Sequence, residues 1–205
     1  PSAVFAPEDF TEEQVALGET TEQFLRNEVL PHVERLENHD FERMVSLLRR
    51  FGELGLLMID APEEYGGLEL SKTTSLVAAE KASMYGGFST AYTAHSGIGT
   101  LPLVYYGTKE QKEKYLGKII TGEWIAAYCL TEPNSGSDAL GAKTTAVLSG
   151  DGTHYILNGT KQFITNGGFA AIYTVFATVD RERFTAVLGG GAFPGGSPRP
   201  EEKKA

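Results

Sequence analysis

The chain reads as α+β, with an all-helical part up to about residue 122 followed by an antiparallel β part, a small barrel or sandwich. Three observations lead there. Up to residue 120 the apolar residues recur at helical spacing, and capping boxes mark helix starts at Thr11 and Thr108. Near Thr121 the period changes to apolar runs of strand length. The turn dipeptides Asp151-Gly152 and Asn158-Gly159 separate those runs. The expected units are a helical domain over 1–122, a β domain over 123–188 and a flexible Gly/Pro-rich tail over 189–205.

Residues 1–10 read as a tail. Thr11 and Gln14 form the first capping box, and Phe10 and Val15 are spaced for a hydrophobic staple. Leu17, Phe24, Leu25 and Val29 continue an apolar face until Leu30-Pro31. Asp40 can cap a second helix, in which Phe41, Met44, Val45, Leu48 and Phe51 make one stripe. Residues 62–67 read as a loop. Residues 71–85 read as a helix with Leu76, Val77 and Met84 inward. Residues 88–106 read as another, small and polar enough to suggest close backbone approach or a site wall, and kinked or ended by Pro102. The helix of about 108–120 is charged and mostly exposed.

In the second part, Trp124 to Thr131, Thr144 to Leu148, Ile172 to Val179 and Phe184 to Leu188 read as strands. The hairpin turn at Asp151-Gly152 leads into Tyr155–Leu157, and a second turn at Asn158-Gly159 into a strand at Gln162-Phe163-Ile164.

With 205 residues the chain is long enough to bury a core without staples. Its net charge of −9 and lack of a basic run beyond Lys203-Lys204 argue against a nucleic-acid partner. One cysteine, Cys129, rules out an internal disulfide framework. No apolar stretch has the length of a membrane span, and Pro1 to Phe5 lacks the features of a signal peptide. His32, His39, His95 and His154 have no ligand spacing, so no metal is expected. No nucleophile elbow, P-loop or dinucleotide fingerprint occurs.

Two stretches remain, 128–138 and 161–168, each a strand-like run entering a loop dense in hydroxyls and glycines. Ser135-Gly136-Ser137 offers what a diphosphate needs. Thr131 and Thr165 put hydroxyls at strand ends, where they could meet the polar edge of a flat ring, with Phe163 or Tyr128 on its face. Cys129 reads as an inert buried thiol. Glu132 and Asp138 form the close acidic pair of a loop: acid–base work is the functional reading, and the favoured one is structural, with Asp138 capping a turn or binding backbone N–H groups and Glu132 pairing with a cation.

At these residues the sequence resembles the acyl-CoA dehydrogenase family. Cys129-Leu130-Thr131-Glu132-Pro133-Asn134-Ser135-Gly136-Ser137-Asp138-Ala139-Leu140-Gly141 matches its first motif, and Leu157 to Lys161 with Phe163 to Gly167 matches its next block. The likeness covers residues 10–188, and Glu64-Tyr65-Gly66-Gly67 looks most like the long-chain branch. The resemblance implies FAD, with Tyr128, Cys129, Leu130 and Thr131 along the flavin and Thr131 at its pyrimidine edge. It places Phe163, Ile164 and Thr165 on the ring, Thr165 near N5, and Ser137 on the diphosphate or on the pantetheine of acyl-CoA. Phe163 stands where many members have Trp.

The implied reaction is α,β-dehydrogenation of an acyl-CoA thioester, with electrons passing to an electron-transfer flavoprotein. The family also implies a homo-oligomeric parent, located in the cytoplasm of a bacterium or the mitochondrial matrix of a eukaryote. In the family a C-terminal four-helix domain carries the glutamate base; no residue here matches it, so the catalytic set is empty. The 205-residue chain alone is therefore expected to be inactive and to hold FAD weakly or not at all. Alternatives are a flavin oxidase or monooxygenase on the same fold, or a non-catalytic module that binds acyl-CoA or protein.

Overall fold

A computed structural model describes residues 6–179 and 183–190. Capping starts its helices where the sequence places them. The Thr11 hydroxyl accepts from the Gln14 N–H at 3.2 Å and the Gln14 side chain returns a bond to Thr11 N–H at 3.0 Å, opening α1, Glu12–Phe24. A wider π turn, Leu25–Val29, and a 3-10 turn, Leu30–His32, carry the chain past Pro31 into α2, Val33–Glu37. The Asp40 carboxylate caps α3, Phe41–Glu53, by accepting from Arg43 N–H at 2.9 Å. Met44, Leu47, Leu48 and Phe51 form its buried stripe, while Phe41 is half exposed. Phe51 is the hub of the helical core, with Phe24, Phe88 and Tyr92 ring centroids 5.2, 5.3 and 4.9 Å away.

The expected inward face of α4, Lys72–Ala82, is corrected in part. Val77 is buried, but Leu76 is 69% exposed and Met84 lies at the surface. The buried face is Thr74, Val77, Ala78 and Ala82, mostly small residues at helical spacing. Small residues are needed there because α1 approaches closely: a Cβ on Gly18 would stand 2.9 Å from Val77. Val15, likewise, stays exposed, while Phe10 lies with Thr73, Leu76 and Val77 along a groove on α4.

Residues 86–106 form one continuous helical run: α5, Gly86–Thr93, a π segment Ala94–Thr100, and α6, Leu101–Tyr106. Pro102 sits in the first turn of α6, directly after the π segment, and does not end the run. A second capping box, Thr108 with Gln111, opens α7, Lys109–Ile120, whose inner side buries Leu116, Ile119 and Ile120.

The strands are β1, Ala126–Cys129; β2, Thr145–Leu148; β3, Tyr155–Asn158; β4, Ile172–Val179; and β5, Arg183–Gly190. The expected antiparallel part is corrected to a mixed sheet. β2–β3 and β4–β5 are antiparallel, but β1 and β2 both run parallel to β4. Because β5 takes one edge of β4 along its whole length, β1 and β2 lie head to tail on the other, opposite residues 172–175 and 178–179. Turn dipeptides report only neighbouring strands, and they miss this pairing because residues 130–144 loop out and return to the same edge in the same direction.

The hairpin turn at Asp151-Gly152 joins β2 to β3, with Gly152 in the left-handed region. Asn158-Gly159 is not a second hairpin. Gly159 is there for close approach, since a Cβ would stand 2.3 Å from the Thr144 hydroxyl. The strand expected at Gln162-Phe163-Ile164 is absent, because Phe163 has φ 56 and breaks the extended run. β5 runs on to Gly190; the rest of the expected tail, 191–205, and residues 1–5 lie outside the described residues. Among the described residues no helix is long and apolar enough to cross a membrane.

Candidate functional site

The two stretches singled out by sequence meet at the C-terminal end of β1. Gln162 N–H donates to Thr131 C=O at 3.0 Å, and the Gln162 side chain to Glu132 C=O at 3.3 Å. Lys161 Nζ donates to Leu130 C=O at 2.9 Å and to Glu132 Oε1 at 2.8 Å. Glu132, the only buried carboxylate among the described residues, also accepts from Lys143 N–H, Thr144 N–H and the Thr144 hydroxyl. Burial pushes its carboxyl up, but Lys161, the Thr144 hydroxyl and the two amides outweigh that and hold it down to about 2. A carboxylate with this many donors is a fixed anion, so the reading of Glu132 as a structural, cation-paired group holds. It closes the base of the 130–144 loop. Inside that loop Glu132 and Ser135 exchange backbone bonds and the Ser135 hydroxyl donates to Asp138 C=O at 2.6 Å.

The ladder decides which main-chain groups of β1 are available. Ile125 C=O accepts from Ile172 N–H, so in the parallel register the peptide groups of 127 and 129 also face β4. Those of Ala126 and Tyr128 point the other way, to an edge with no strand on it. At Ala126 two buried side chains take that place: His95 Nδ1 accepts its N–H at 2.9 Å, and Asn166 Nδ2 donates to its C=O at 3.2 Å. No described group bonds to the N–H and C=O of Tyr128 on this edge.

The expected site residues therefore divide. Tyr128, Leu130 and Thr131 lie along the open edge and its end. The main chain of Cys129 is turned to β4 and its thiol to the opposite face, in a cavity of about 440 Å³ shared with Lys161, Phe163, Ile164, Tyr173 and Val175. Burial pushes that thiol up to about 11, which makes it a poor nucleophile, as expected. The Tyr128 ring packs on Phe176 at 4.9 Å instead. Phe163 is 86% exposed, and Ser137 is exposed on the loop. Thr165 is half-buried and turns toward the helices, lining a groove of about 410 Å³ with Phe41, Met44, Thr90, Asn166 and Phe169. No cluster of His, Cys, Asp or Glu suited to a metal occurs among the described residues.

Asn166 lies inside the second stretch singled out by sequence, but neither it nor His95 was expected to hold the main chain of β1. A lone histidine in a helix of small and polar residues and an asparagine before a diglycine carry no spacing signal for this role, since both act on a strand distant in sequence.

Comparison with known proteins places these features. The family model described as acyl-CoA dehydrogenase, N-terminal domain, matches residues 11–123, and that for the middle domain matches residues 127–204. A probable acyl-CoA dehydrogenase of Bacillus subtilis (strain 168) is 56% identical over 201 residues, covering 98% of this chain and 34% of that protein. The very long-chain specific acyl-CoA dehydrogenase, mitochondrial, of Homo sapiens is 43% identical over 162 residues, covering 74% of this chain and 25% of that protein. The crystal structure of acyl-CoA dehydrogenase complexed with FAD from Bacillus anthracis superposes with a TM-score of 0.90 at 56% identity, covering 98% of this chain and 34% of that one. The chain thus spans about a third, 34%, of the length of the first curated relative it matches. Two family models that follow one another along the chain, with the two motif stretches bonded together where they meet, lead to one conclusion: the chain belongs to the acyl-CoA dehydrogenase family.

Proposed function

We propose that this chain supplies the ring-binding half of an FAD-dependent enzyme that dehydrogenates acyl-CoA thioesters between the α and β carbons. The observation that carries the reading is the open edge of β1 at Tyr128. A planar heterocycle with alternating donors and acceptors on its rim can complete that edge as a neighbouring strand would. The family and the likeness to an FAD complex support flavin as that ring.

In this reading the Tyr128 C=O and N–H, the Leu130 N–H and the Thr131 hydroxyl hold the rim of the ring. Phe163, Ile164 and Thr165 would contact the ring, and the exposed Ser137 would meet the diphosphate or the pantetheine. Cys129 contributes packing through the sheet rather than a main-chain bond. Bound flavin supplies the acceptor for the hydride leaving the β carbon. Glu132 takes no proton from the α carbon, because its oxygens are already filled by Lys161, Thr144 and Lys143 N–H. An electron-transfer flavoprotein as the onward acceptor, a homo-oligomeric assembly, and residence in a bacterial cytoplasm or mitochondrial matrix belong to the same proposal.

Titration of the chain with FAD, followed by flavin fluorescence and absorbance, tests the reading. Weak, saturable binding is expected, and Thr131→Val should weaken it about tenfold, the loss of roughly one hydrogen bond. A flavin signal that never changes, or binding indifferent to Thr131→Val, would sink it.

A further inference from the structure

His95 is fully buried, with both ring nitrogens engaged. The backbone N–H of Ala126 can only donate, so Nδ1 carries no proton and Nε2–H donates to Ile119 C=O at 3.1 Å. One neutral tautomer thus joins the π segment to the start of β1 and to the end of α7. The π turn itself is tied by the Thr100 hydroxyl, which donates to His95 C=O at 2.7 Å.

Asn166 approaches the main chain of the same residue from the other chain segment. Its side-chain amide donates to Ala126 C=O at 3.2 Å and to Ala91 C=O at 2.9 Å, which fixes the amide orientation. The residue has φ 66, and its Oδ1 is buried without a partner. Both features are unfavourable, so the packing of this residue alone does not account for it. Gly99 closes the contact: a Cβ there would stand 2.8 Å from Ala94 C=O and 2.9 Å from the Ala126 Cβ.

We infer that His95 and Asn166 are positioning residues, clamping the two peptide groups that flank Ala126 in place of a neighbouring strand and so fixing where the ring-binding edge begins and how it lies against the helix of residues 86–106. With Ala126 taken at one end and Leu130 C=O held by Lys161 at the other, the opening is confined to the groups of Tyr128 and Leu130 N–H. That is the reach of one ring rim, too short for an added strand. This inference rests on the reading of that edge as the flavin site.

The test separates the clamp from simple core packing. At position 95, Asn places an acceptor where Nδ1 stands and keeps the Ala126 bond. Gln places a donor where Nε2 stands and keeps the Ile119 bond instead. Both variants remove one hydrogen bond and the ring. In the ¹⁵N-labelled chain, His95→Asn should leave amide exchange at Ala126 and the Kd for FAD within about threefold of wild type. His95→Gln should raise each about tenfold, as loss of one hydrogen bond predicts. Equal increases in Kd for the two variants, or unchanged Ala126 exchange in His95→Gln, would overturn the inference.

If wild type itself gives no flavin signal, the ring reading falls, and the Tyr128 amide resonance decides the clamp. A shift in His95→Gln but not in His95→Asn supports it, and any other pattern overturns it. Should His95→Gln not fold, Asn166→Gly keeps the left-handed backbone without the side chain. That variant should displace the Tyr128 resonance and, where wild type binds FAD, raise Kd by about fivefold for the lost bond to Ala126. An unmoved Tyr128 resonance or an unchanged Kd overturns the inference.

Discussion

The helical and sheet parts of this molecule are held together by different kinds of force. Around Phe51 the helices bury aromatic rings and leucines, with no ion pair in that cluster. Around β1 the sheet is fastened by polar groups that are buried with their partners: Glu132 with Lys161 and Thr144, His95 and Asn166 with Ala126. Apolar packing is tolerant of small shifts and supplies bulk stability. Buried polar bonds lose most of their value when geometry slips, so they fix positions. The open edge of β1 lies on the polar side of that division, where placement matters more than bulk.

Four measurements can break or sharpen the contrast. Phe51→Ala should cost the most, about 4 kcal/mol, as a large cavity opens among three other rings. Urea unfolding followed by far-UV circular dichroism would show it. Lys161→Ala should follow at about 3 kcal/mol, since it leaves a buried carboxylate unpaired. Adding Glu132→Gln to it should recover part of that loss, whereas a purely apolar core would show no such coupling. If the double variant is as unstable as the sum of the singles, the polar account of the sheet part is wrong.

Acid provides the third. Burial holds the His95 imidazole at about 4, below its ordinary 6.5, and only the neutral ring can accept from Ala126. Its stabilisation is therefore complete above pH 6.5 and lost as pH falls through about 4, on the order of 3 kcal/mol in all. Glu132, held down to about 2 from 4.5, keeps its contribution above pH 4.5 and loses it only on further acidification. The helix–sheet junction should thus loosen before the loop base does. Urea midpoints between pH 7 and about 4 should fall in wild type and stay nearly flat in His95→Asn. The smallest effect is expected at Leu76→Ser, within about 0.5 kcal/mol, because that side chain faces water on α4.

Much of the fold was legible in the sequence, and for identifiable reasons. Helix starts at Thr11, Asp40 and Thr108 are local events, decided by a side chain three residues from the amide it caps. The run Ile172 to Val179 is β4 to the residue, since a buried central strand needs no alternation to be recognised. The failures are all non-local. Leu76 is expelled because α1 comes close at Gly18, which the α4 sequence cannot reveal. Phe163 has strand propensity but a left-handed backbone, next to a Gln162 whose N–H bonds to the distant Thr131. The motif residues Tyr128, Leu130 and Thr131 lie along the open edge of β1 and its end, but which of them turn main-chain groups away from β4 followed only from the register. The contacts of His95 and Asn166 with Ala126 gave no signal, because these partners lie far apart along the chain.

The head-to-tail seating of β1 and β2 has a consequence for how such a sheet can change. Their inner ends face Val175 and Thr178, close neighbours on a single strand. The connection between them starts and finishes at nearly one place, and Glu132 stitches that neck shut through Lys143 and Thr144. Residues 133–142 therefore behave as an exchangeable cassette. Doubling the length of such a cassette costs only about 0.6 kcal/mol in closure entropy. The loop can diversify there while the sheet beneath keeps its shape.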